Sequence, residues 1–200
     1  MRRRAALAAA LAVGMLGAGG CDKLFAPAKS PFKGIDITGS AIGGELRLND
    51  HDGKPRALAD FRGKVVVVFF GYTHCPDVCP TTLADLSGAM KRLGAEAARV
   101  QVLLVTVDPK RDTPELLKQY VTAFDPSFIG LRGDTEALTR VTKDFHVYWN
   151  VREGRTPQSY TVDHAGQAFA LDREGKARLM FAPGIAPEAI ASDLRLLLNS

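Results

Sequence analysis

The chain has 200 residues, 46% of them apolar and 24% charged, which is enough for one domain with a sizeable core and unlike a disordered chain. The formal net charge of +4 falls to +1 when the leader with Arg2, Arg3 and Arg4 is set aside, so charge gives no ground for a nucleic-acid partner. Outside the N-terminus no apolar run approaches the length of a membrane span.

Residues 1–20 follow the plan of a secretory signal peptide: Arg2–Arg4, then the apolar stretch Ala5 to Gly20, rich in Ala, Leu and Gly. Ala18-Gly19-Gly20-Cys21 resembles a bacterial lipobox, whose cysteine is lipidated and becomes the new N-terminus, with Ala18 where Leu is usual. Asp22 resembles the signal that retains lipoproteins in the inner membrane. The expectation is export, with a lipid on Cys21 as the anchor. The alternative, an uncleaved N-terminal transmembrane anchor, has 16 apolar residues against the roughly 20 that a span needs. Residues 21–44 carry Pro, Gly and Ser and read as a tether. The domain, 45–200, then faces an oxidising compartment, the periplasmic side of the bacterial inner membrane.

Strands and helices alternate through that domain. Val65 to Phe70 is an unbroken apolar run, as expected of a central strand covered on both faces. Leu83, Leu86, Met90 and Leu93 recur at helical spacing, and Val102–Val107 is a second buried strand. A helix follows with Thr113 as cap and Pro114 at its first position, and a third starts at Asp134. Ala168–Leu171 and Ala177–Phe181 read as a β-hairpin, and Pro187–Leu198 as a closing helix. Parallel βαβ units with this ending predict an α/β, thioredoxin-like three-layer sandwich with a C-terminal β-hairpin and helix.

Between the first buried strand and its helix lies Gly71-Tyr72-Thr73-His74-Cys75-Pro76-Asp77-Val78-Cys79-Pro80. Each cysteine precedes a proline, which steers both away from helical backbone angles. Cys79 is expected at the helix cap and Pro80 at the first helical position, where unpaired N–H groups favour a Cys79 thiolate. Cys75 can reach the same side. Two thiols so placed can close a disulfide or pinch a soft metal ion. A merely stabilising disulfide explains little, because cross-linking so short a loop removes little unfolded-chain entropy. Two inert buried cysteines fit poorly with the flanking Pro, Asp and His.

Spacing bears on the choice between redox and metal chemistry. Thioredoxin-type exchange enzymes place two residues between their cysteines and use a cis-proline opposite them. Here three residues intervene, and the Tyr160–Ala165 region has no proline but does have His164. Two thiolates and a neutral imidazole form a soft three-coordinate set suited to Cu(I), and imidazole also suits Cu(II). Zinc normally takes a fourth ligand in a closed site. On residues alone, His164 is one histidine among four. His51 lies in a turn and reads as solvated surface, His146 reads as packing, and His74 either tunes Cys75 or faces water. No phosphate-cradling loop supports a nucleotide enzyme, since Gly39–Gly44 lacks the required Lys and spacing. A peroxidase fits poorly, since peroxiredoxins place Thr or Ser where Tyr72 stands.

Three segments carry a family resemblance. Asp60-Phe61-Arg62-Gly63-Lys64 followed by Phe70 through Pro80, Val107-Asp108-Pro109-Lys110-Arg111-Asp112-Thr113-Pro114, and Tyr160-Thr161-Val162-Asp163-His164 resemble ordered motifs of the SCO/SenC family of copper proteins. The likeness covers nearly all of the exported domain. It implies that Cys75, Cys79 and His164 are ligands for copper, as Cu(I) or Cu(II), with Asp163 orienting the imidazole. Ala165 departs from the pattern, which has Ser there. The second motif reads by itself as a strand end and a helix start, with no catalytic role.

The resemblance also implies a function. The protein would be a copper chaperone that loads, or reduces the cysteines of, the dinuclear copper site of cytochrome c oxidase subunit II. A thioredoxin-like reductant is implied as a second partner. The rival is a periplasmic thiol–disulfide oxidoreductase that uses Cys75 and Cys79 as a redox-active pair without His164. A redox or copper sensor acting by binding alone is a third reading.

Overall fold

In the computed structural model, which describes residues 30–156 and 159–200, the described residues begin with strands β1 (Ile35–Asp36), β2 (Arg47–Asp50) and β3 (Pro55–Ala57). They continue through β4 (Val65–Gly71), α1 (Val78–Leu93), β5 (Val100–Thr106), α2 (Pro114–Phe124), β6 (Ile129–Arg132) and α3 (Thr135–Asp144). They end with β7 (Trp149–Arg152), β8 (Thr161–His164), β9 (Ala168–Leu171), β10 (Ala177–Phe181) and α4 (Pro187–Leu198).

Every residue of β4 is buried. Its β-branched and aromatic side chains suit a strand covered on both faces, each worth about 1.5–3 kcal/mol when fully buried. β4 pairs in parallel with β5 and antiparallel with β9. The sheet runs in the order β1-β10-β9-β4-β5-β6-β2-β3, so the cysteine segment leaves from its middle. Phe69 and Gly71 face α1, where Gly71 lies against the Cys79 sulfur. α1 packs on α4 and touches α2, with Ser87 Oγ donating to the Phe124 carbonyl at 2.7 Å. By strand alternation Phe70 points to the opposite face, where it meets Phe145, just after α3, and Phe169 at ring separations of 5.4 and 6.4 Å. Helix, sheet and helix layers follow, and the thioredoxin-like sandwich with its terminal hairpin and helix is the fold that forms. A separate two-stranded ribbon, β7–β8, places Trp149 opposite His164.

Two expectations need correction. α1 starts at Val78 with Asp77 as its cap, so Cys79 and Pro80 lie inside the first turn. Proline is tolerated there because first-turn N–H groups have no helical partner. The compact unit is Pro31–Ser200, so residues 31–44, expected in the tether, are packed on the domain. β1 extends the sheet beside β10, and the fully buried Asp193 of α4 accepts the N–H of Lys33 at 2.9 Å and of Gly34 at 2.7 Å. The leader and Cys21 lie outside the described residues. Among the described residues no helix is long and apolar enough to cross a membrane.

Candidate metal centre

Gly71 closes β4, and a Cβ there would stand 2.8 Å from the Cys79 sulfur. The absent side chain makes the room that Cys79 fills from the first turn of α1, fully buried. Cys75 sits in the loop before it, half-buried, its N–H bonded to the Tyr72 carbonyl at 3.3 Å. The backbone amides of Asp77 and Cys79, at the start of α1, lower its pKa. Both cysteines are free thiols.

His164 ends β8 with its ring edge-on to Tyr72 at 5.6 Å and to Phe69 at 6.4 Å between centroids. Nδ1 lies 3.1 Å from the Ala165 carbonyl, an acceptor, which assigns the ring proton to Nδ1. Nε2 is then left with its lone pair toward the sulfurs, 3.2 Å from Cys79 Sγ. The ligand atoms of Cys75, Cys79 and His164 all lie within 4.8 Å of one another, the one such cluster among the described residues.

The two thiols ionise unequally. Cys75 is lowered to about 3, chiefly because the Cys79 S–H donates to it, then by His164 and the two backbone amides, against a desolvation cost. Cys79 is pushed well up by that same hydrogen bond and by burial. The start of α1 therefore favours the thiolate of Cys75, not of Cys79 as expected. Because α1 begins at Val78, its first free amides face Cys75, and Cys79 turns into the core.

Several supporting residues escaped the sequence reading. Tyr72 accepts the Val162 N–H on its hydroxyl at 3.3 Å, which joins the cysteine loop to the ribbon. Arg111 stacks 3.6 Å over the Tyr160 ring, donates to the Tyr160 carbonyl at 2.9 Å and pairs with Asp108 at 2.5 Å. The Tyr160 hydroxyl donates to Asp108 at 2.7 Å. Asp112, fully buried, takes the Thr73 N–H and O–H. The second motif is thus the brace of the site as well as a strand end and helix cap. Its charged residues, crowded between two apolar elements, were the available signal.

Asp163 does not orient the imidazole. It pairs with Arg152, because neighbours on a strand point to opposite faces. The Ala165 carbonyl holds the ring instead, so the side-chain departure at that position leaves the bond intact. His51 is not solvated surface: its Nδ1 accepts the Gly130 N–H at 3.1 Å, linking the turn after β2 to β6. His146 is exposed rather than packed. It takes a left-handed φ of 53° to end α3, with Val147 N–H returning to the Thr142 carbonyl at 2.8 Å. His74 is half-exposed, with Nδ1 2.9 Å from Thr73 Oγ1.

Two sulfurs and one nitrogen, one sulfur already ionised, make a soft three-coordinate donor set that fits copper better than zinc. The fold and this cluster define a thioredoxin-like domain with a Cys-Cys-His cluster able to hold a metal ion. The SCO1/SenC family profile matches residues 36–199, and the chain belongs to that family. The mitochondrial SCO2 homolog of Mus musculus is 36% identical over 159 residues, 78% of this chain and 62% of the relative, so the chain spans less than two thirds of that protein. ScoI of Bradyrhizobium japonicum with copper bound superimposes with a TM-score of 0.73 at 38% identity, covering 78% of this chain and 99% of that one. Apo Sco1 of Thermus thermophilus gives 0.76 at 39% identity, over 85% and 99%.

Proposed function

We propose that Cys75, Cys79 and His164 bind copper and that the protein serves the assembly of cytochrome c oxidase. It would deliver copper to the dinuclear site of subunit II, or reduce that site's cysteines. The observation that carries this reading is the meeting of both sulfurs with Nε2 of a histidine 85 residues beyond Cys79. The copper-bound relative supports it.

Each residue has a defined part. Cys75 offers a thiolate as it stands, Cys79 must release a proton, and His164 offers Nε2 with Nδ1 tied to Ala165. Half-exposed Cys75 leaves one side open to an incoming thiolate, so cargo passes by ligand exchange. Both cysteines must be reduced, and an oxidising compartment works against that, so a thioredoxin-like reductant belongs to the proposal. The proposed setting is the periplasmic face of the inner membrane with a lipid on Cys21; an N-terminal transmembrane anchor is the alternative.

One observation favours the second reading. An ionised, accessible Cys75 beside a protonated, buried Cys79 is also the arrangement of an attacking and a resolving thiol, as in a thiol–disulfide oxidoreductase. A single titration separates the two. The reduced, leader-free domain is titrated anaerobically with Cu(I) against a competing chelator, beside His164→Ala and Cys79→Ser. Copper binding predicts one tight ion per chain, affinity weakened at least about tenfold by His164→Ala, and loss of binding in Cys79→Ser. Equal behaviour of wild type and His164→Ala, or failure to compete, would give the site to the oxidoreductase.

A further inference from the structure

We propose that Asp112 is a positioning residue that pins the Cys75 loop in its metal-receiving form and holds the reduced pair against closing into a disulfide. Its purpose rests on the copper reading of the site; its geometry does not. The carboxylate is 0% exposed. It accepts the Thr73 N–H at 3.1 Å, the Thr73 hydroxyl at 2.6 Å and the Thr106 hydroxyl at 2.5 Å. The half-exposed His74 ring stands beside it, with Nδ1 3.8 Å from the carboxylate. A buried carboxylate is costly unless donors surround it, and hydrogen bonds to a charged acceptor are the strong ones.

The consequence falls on Cys75. Thr73 stands two residues before it, and the Cys75 N–H bonds back to Tyr72, so Asp112 holds one end of a short turn whose other end carries the sulfur. The far side cannot yield, because Cys79 is fixed in α1 and fills the space left by Gly71. Closing a disulfide requires the sulfurs to come to about 2.05 Å, with the Cβ atoms roughly 3.8 Å apart. That movement belongs to the Cys75 loop, and it strains the bonds from Thr73 to Asp112.

The test reads the metal-free full-length chain in glutathione buffers. There the two thiols and one glutathione disulfide give the Cys75–Cys79 disulfide and two glutathione thiols, two electrons passing to glutathione. Asp112→Asn and Thr73→Val are each expected to shift this equilibrium about tenfold toward the disulfide, a potential lower by about 30 mV. Thr73→Ser, which keeps the hydroxyl donor, is expected to stay with wild type. Potentials unchanged in both variants, with only the melting temperature lowered, would make Asp112 a purely structural carboxylate and overturn the proposal. If Asp112→Asn does not fold, Thr73→Val decides alone, since it removes one hydroxyl and no charge. Cu(I) affinity, measured in parallel, falls in the same variants. A wild type that binds no copper would sink the proposed function, while the potentials still decide the role of Asp112.

Discussion

Gly71 has no side chain to contribute, yet the proposed metal centre depends on it. A methyl there would stand 2.8 Å from the Cys79 sulfur and 3.0 Å from the Phe69 ring. Gly71→Ala is expected to cost about 1–3 kcal/mol of stability by overpacking, and to weaken Cu(I) binding by displacing one ligand. Denaturant melts together with a chelator competition check both. The thiol pair sets a pH dependence of its own. With Cys75 already ionised near neutrality, copper uptake releases one thiol proton, from Cys79, so affinity should rise about tenfold per pH unit above neutrality. Two ordinary thiols would release two protons and give a slope near a hundredfold.

The same pair links stability to pH. Cys75 is depressed from 9.0 to about 3, so its contribution is full above pH 9 and is lost as pH falls toward 3. Cys79 is raised, so its contribution is present below 9 and lost above it. The urea midpoint of the reduced, metal-free domain should therefore climb from pH 5 to pH 8, and the disulfide form should lack that climb. A parallel course for the two forms would remove the thiols as the cause.

At the scale of elements, capping shows what local sequence can do. The Asp134 carboxylate accepts the Ala137 N–H at 2.8 Å and starts α3, as its place in the sequence predicts. Asp134→Ala should lower stability by about 1 kcal/mol in urea melts and leave copper affinity unchanged. The same local rules make β4, β5, α2, the hairpin and α4 readable, because each is a long periodic or unbroken apolar run. They fail for β2, β3 and β6, which hold three or four residues each and become strands only by pairing on the far edge of the sheet. The site divides in the same way. Cys75 and Cys79 announce themselves by their prolines and spacing, whereas His164 is locally anonymous and was legible only through family resemblance. The contacts of Asp112 were not legible, because its partners Thr73 and Thr106 lie outside its own helix start. The start of α1 was misplaced by the assumption that proline must open a helix.

For the whole molecule, residues 31–44 are part of the body. Asp193 clasps the backbone at Lys33 and Gly34 from within α4, although 159 residues separate it from Gly34. Asp193→Asn should lower stability by about 1–3 kcal/mol and expose residues 31–36 to proteolysis, with copper binding kept. Limited digestion beside a chelator assay would show a different outcome if the clasp and the metal centre were coupled. Set apart from the sheet is the β7–β8 ribbon, which among the described residues shares no ladder with it and is braced by Tyr72 and by the stack of Arg111 on Tyr160. Nitrogen and sulfur donors therefore sit on separate jaws. If the protein hands on copper as proposed, a partner that drew the ribbon aside would break its bond to Tyr72, withdraw the imidazole and leave the two sulfurs open to a third thiolate. Dwell time then becomes a property of the encounter, while the grip at rest stays a property of the chain.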